Sequence, residues 1–89
     1  MQPLAVVTSE GGAAKLSFFP DGFFTIEIKN GGIFTGTFCL IDDVLTLIMD
    51  GDTKAPVNAD GSLTLAIDNV SYAFSLSANV VDTLLSAVK

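Results

Sequence analysis

Apolar and polar residues alternate one by one along most of this chain. A period of two is the signature of a β-strand, because successive strand side chains point to opposite faces. Ala14, Leu16 and Phe18 alternate with Lys15, Ser17 and Phe19, and after Pro20-Asp21-Gly22 the residues Phe24, Ile26 and Ile28 alternate with Thr25, Glu27 and Lys29. Asn30-Gly31-Gly32 is a hairpin signal, since Asn and Gly tolerate positive φ. Phe34, Gly36, Phe38 and Leu40 then face away from Thr35, Thr37 and Cys39, and beyond Asp42-Asp43 the residues Leu45, Leu47 and Met49 face away from Thr46, Ile48 and Asp50. Asp50-Gly51-Asp52 reads as another turn. A weaker strand with Ala55 and Val57 on one face follows; its Pro56 cannot donate to a ladder, which predicts an edge position. Asp60-Gly61 leads into Leu63, Leu65 and Ile67, and a turn at Asn69 into Val70, Tyr72, Phe74 and Leu76. A further strand fits at Leu4 to Thr8.

The last residues change period. Val80, Val81, Leu84, Leu85 and Val88 recur at helical spacing, which predicts a short amphipathic helix over about residues 79–88. Asn79 is the expected cap, with Asp82 in the first turn and Lys89 at the end, placements that suit the helix dipole. So short a helix is marginal alone in water, so its stripe must dock somewhere. There is also a faint internal repeat: the segment from Asp21 to Asn30 aligns with that from Asp60 to Asn69, sharing Asp, Gly, Thr, Ile and Asn. Two ordinary turn-strand-turn units would look this alike, and duplication of a hairpin is the alternative.

These readings give one all-β domain over residues 1–89, with strands over about 14–76. The expected fold is an antiparallel up-and-down meander of seven or eight short strands curled into a small barrel, with the helix at its C-terminus. Curling removes exposed strand edges. Gly36 in mid-strand suits strong bending or close packing. A hydrophobic fraction of 49% is ample for a core and argues against disorder.

Charge bounds the partners. Ten Asp or Glu stand against four Lys, for a net charge of −6. Such an excess repels phosphate, which makes nucleic acid and anionic membranes poor partners. No apolar run reaches the length of a membrane-spanning helix. The first eight residues lack the basic region and apolar run of a signal peptide. Export or a cell-surface location is nevertheless expected over the cytoplasm, with any signal lying outside these residues.

No catalytic constellation stands out, and the expectation is a protein that is not an enzyme and needs no cofactor. The chain has no His, the commonest general base and a common metal ligand. Cys39 therefore lacks an imidazole to activate it and reads as a small strand residue. Asp42-Asp43 and Asp50-Gly51-Asp52 could offer oxygens to calcium, but no Glu closes a loop of known spacing, and solvated turns explain them. Nothing places a second carboxylate opposite Glu27 for glycoside hydrolysis. Asn69-Val70-Ser71 matches a glycosylation acceptor, relevant only in a eukaryotic secretory setting.

Some large apolar residues fall on the nominal outer face: Phe19, Phe23, Ile33, Ile41, Val44 and Ile48. The helix would cover two or three, and the remainder suggest self-association, as in a homodimer, or docking on a neighbouring domain. The runs from Phe19 to Ile26, Asn30 to Phe38 and Asp43 to Leu47 resemble the bacterial lipocalin-like domains, in which a DG turn precedes a strand, a GTF strand and an LTL strand. The resemblance covers about residues 16–76. It implies a meandering β-barrel, often exported and sometimes binding a hydrophobic ligand; it carries over no functional residue. The leading expectation is a non-enzymatic binding or protein-interaction module of an exported bacterial protein. The alternative is a carrier of a small hydrophobic ligand, as a monomer or a dimer, its pocket lined by Phe18, Phe24, Phe34, Phe38, Tyr72 and Phe74.

Overall fold

The computed structural model describes residues 1–49 and 53–88. The expected turn at Asp50-Gly51-Asp52 and the expected role of Lys89 lie outside the described residues. In chain order the elements are β1 (Ala5–Thr8), a 3-10 turn (Glu10–Gly12), β2 (Ala14–Phe18), β3 (Phe23–Ile28), β4 (Ile33–Ile41), β5 (Val44–Met49), β6 (Thr53–Pro56), β7 (Ser62–Ile67), β8 (Val70–Ser75) and α1 (Ala78–Val88). Strands β1 to β6 form one antiparallel meander, each paired with the next, and β7 and β8 form a separate two-stranded sheet.

The alternation builds the interior as expected. Leu16, Phe18, Phe24, Ile26, Leu47, Leu63, Leu65 and Phe74 are fully buried, and Phe38, Leu45, Met49 and Leu76 nearly so. One core therefore lies under both sheets. Val70 departs from the pattern: it lies at the tip of the β7–β8 hairpin and is exposed, although alternation assigns it inward.

The expected closed barrel is corrected: among the described residues, no sheet closes. Strand β7 lies beside β6 and β8 beside β1, yet among the described residues no backbone ladder joins either pair. Part of the reason is local. The Val57 N–H donates to the Leu45 carbonyl, so alternate residues of β6 bond to β5, and Pro56 occupies a position where ladder groups face away. Its missing N–H is thus on the free edge of the sheet. Pro56 blunts that edge, as its edge position requires.

Turn chemistry fixes the register. Ile41 pairs with Val44 and Ile67 with Val70, leaving the two-residue loops Asp42-Asp43 and Asp68-Asn69. All four loop residues have positive φ, between 50° and 67°, the backbone of the hairpin turn whose twist matches the strands. The internal repeat reappears as geometry. Phe19 N–H bonds the Phe23 carbonyl and Gly22 N–H the Phe19 carbonyl; Asn58, Ser62 and Gly61 repeat this. Asp21 Oδ1 accepts from Phe23 N–H and Asp60 Oδ1 from Ser62 N–H. Gly22 and Gly61 both take φ near 90°, and their carbonyls accept from Phe38 and Leu76. The β3–β4 and β7–β8 hairpins are thus entered in the same way, but only β3–β4 is flanked by β2 and β5.

The helix starts one residue before the expected range, and its cap is not Asn79. Ser77 Oγ accepts from Val80 N–H at 3.2 Å, and the Ser77 carbonyl accepts from Val81 N–H at 3.0 Å. Asp82 is then past the first turn of Ala78–Val88. The apolar stripe docks as expected. Leu84 is fully buried, with Val80, Val81, Leu85 and Val88 half-buried against the core. Among the described residues, no helix is long and apolar enough to cross a membrane.

Candidate functional site

The up-and-down order places the β2–β3, β4–β5 and β6–β7 connections at one end of the fold. Helix α1 lies at that end too, because it follows β8 and runs beside β4. Two adjoining depressions form there. One, of about 220 Å³, is lined by Ala59, Asp60, Gly61, Leu76, Ala78, Val81 and Asp82. The other, of about 320 Å³, includes Val44, Leu45, Val57, Val81 and Leu85, with Asp43 and Asn58. Ala59 and Val81 line both, so the two are lobes of one groove between α1 and the β6–β7 loop.

Among the described residues, the groove is lined mostly by apolar side chains and its charges are negative. Leu45, Val57 and Leu76 are buried core residues whose surfaces reach it, and Val81 and Leu85 contribute from the helix. Asp43, Asp60 and Asp82 supply its charges, and among the described residues no Lys lines it. Asp60 is held in place: Ser62 Oγ–H donates to Oδ1 at 2.6 Å and Ser62 N–H at 3.0 Å. These bonds favour the charged form, first through the hydroxyl and then the backbone, and hold the carboxyl below its ordinary value. Gly61 is required at the base of this loop. It has φ of 88°, and a Cβ there would run into the Leu76 carbonyl.

The six aromatics expected to line a pocket differ in burial. Phe18, Phe24, Phe38 and Phe74 are buried in the core, whereas Phe34 and Tyr72 are half-buried. The Phe18 ring meets Phe38 edge-on with centroids 5.3 Å apart, and lies 6.3 Å from Phe24 in a tilted pair. Such contacts are worth about 0.5–1.5 kcal/mol each beyond area burial. None of the six lines either lobe of the groove.

The remaining candidates are dispersed. Asp42 and Asp43 are exposed hairpin-turn residues, and the described residues contain no cluster of His, Cys, Asp or Glu suited to a metal ion. Glu27 is exposed, between Lys15 on β2 and Ile33 on β4. Cys39 is a free, half-buried thiol opposite Thr46. Asn69, Val70 and Ser71 are exposed at the β7–β8 tip. Of the outer apolar residues, Phe23, Ile33 and Val44 are exposed, while Phe19, Ile41 and Ile48 are half-buried. Sequence reasoning missed the groove, because each of its carboxylates reads alone as a solvated turn or helix residue.

Comparison with known proteins adds nothing to this geometry: no family model, curated protein or solved structure matches the chain.

Proposed function

We propose that this chain is a non-enzymatic recognition module that binds its partner on the outside of the core, in the groove beside α1. The observation that carries this reading is the groove itself, a largely apolar floor with three carboxylates around it, of which Asp60 is held in place by Ser62. Binding sites combine apolar lining with a few placed polar groups in this way. The edge-on and tilted packing of Phe18, Phe24 and Phe38 in the core favours this over the rival, a carrier of a small hydrophobic ligand in an interior pocket.

The test is a two-dimensional amide NMR spectrum of the full chain, titrated with small apolar probes such as isopropanol and phenol. The module reading expects shifts at Ala59, Gly61, Val81 and Asp82. Shifts centred on Phe18, Phe24, Phe38 and Phe74 would instead favour the carrier and defeat the module.

A further inference from the structure

Resting on that reading, we infer that the occupant of the groove is a cationic amphipathic segment of a partner chain, with Lys or Arg beside two aliphatic side chains. Each lobe is small, at about 220 and 320 Å³. That lies at or below the lower end of the roughly 300–1,000 Å³ of small-molecule pockets. A lobe of this size takes a side chain, and two lobes meeting at Ala59 and Val81 take two side chains of one backbone.

Charge selects among segments. Asp43, Asp60 and Asp82 surround a largely apolar floor, with no lysine among its described lining residues. Both hydrogen bonds from Ser62 go to Oδ1 of Asp60, leaving Oδ2 to accept from an incoming cation. The same carboxylates repel acidic segments, and a net charge of −6 opposes a second copy of this chain. Apolar contact supplies attraction, and the carboxylates supply orientation and partner choice.

Isothermal titration of the full chain with three synthetic peptides of one length tests this. One alternates Lys with two Leu, the second replaces Lys by Glu, and the third replaces Leu by Ser. The Lys/Leu peptide should bind at least about tenfold tighter than the others and shift the Ala59, Val81 and Asp82 amides. Its binding should weaken as ionic strength rises from about 0.05 to about 0.5 M. Each of Asp43→Asn, Asp60→Asn and Asp82→Asn should weaken it by about 1.5- to 5-fold, the range of exposed ion pairs. The salt series needs no variant, so a misfolded variant cannot mask the result. Equal binding of the Glu/Leu peptide in the groove overturns the charge inference while the module stands. Shifts elsewhere on the chain overturn the site. If neither peptides nor small apolar probes disturb the groove amides, the module reading fails as well.

Discussion

Gly36→Ala sets a general preference against a specific contact. Away from special positions, replacing a strand glycine by alanine stabilises by about 0.4–1 kcal/mol, because the unfolded chain loses freedom. Here the added Cβ would lie 2.6 and 2.7 Å from Cε2 and Cζ of Phe24, and closer still to the Ile48 carbonyl oxygen. Ordinary carbon contacts lie near 3.5–4.0 Å, so the overlap is about 1 Å. Phe24 is fully buried beside Phe18 and has little room to turn aside. The carbonyl is backbone, so relief there means parting β5 from β4. Overpacking of this kind costs about 1–3 kcal/mol, and the upper half of that range is expected because one partner is main chain. A chain of this length has about 4–13 kcal/mol of stability in all. Urea unfolding followed by circular dichroism reads the change as a lower midpoint at unchanged slope. Adding Phe24→Leu to Gly36→Ala should make the second substitution cost less than it does alone. A midpoint that holds or rises for Gly36→Ala would refute the close approach of β3, β4 and β5 at this point.

Phe38→Ala should cost about 3–5 kcal/mol by opening the ring cluster with Phe18, whereas exposed Thr37→Ala should change stability by less than about 0.5 kcal/mol; a reversed order would invert the faces of β4. Ser77→Ala should cost about 0.5–2 kcal/mol through the lost helix cap and Asn79→Ala far less, and equal losses would mean the cap is misassigned. Asp60 has a folded-state value below its unfolded one, so its contribution is present above the ordinary carboxylate value and is lost as pH falls through the lowered one. Ser62→Ala should therefore raise its titration midpoint toward the ordinary value in a carboxyl-carbon NMR titration, and an unmoved midpoint would deny the hydroxyl bond.

Period-two alternation made β2 to β5, β7 and β8 legible, because half-buried strands must put every second residue inside. Pro56 revealed its edge, since a missing N–H is tolerable only where no strand follows. Closure was not legible. Whether β6 reaches β7, or β8 reaches β1, depends on backbone groups at two seams, and the second joins the two ends of the sheet region, far apart in sequence. The helix cap slipped because Ser77 and Asn79 are both good caps, and what separates them is where the β8 chain ends. Val70 misled for a similar reason: alternation assigns a face, while position at a hairpin tip decides exposure. The groove was beyond reading from the chain, being assembled from residues 43–45, 57–61 and 76–85, whose meeting is a property of the packed helix.

The claim beneath all of this is that alternate side chains meet in one dry interior under the two sheets and α1. A soluble paramagnetic agent, which broadens NMR signals in proportion to solvent access, probes every side chain at once. The expected pattern is sharp, unaffected resonances for Leu16, Ile26, Leu47, Leu65 and Leu84 beside strong broadening of Lys15, Glu27, Thr64 and Ala66. Equal broadening of the two groups would contradict the account.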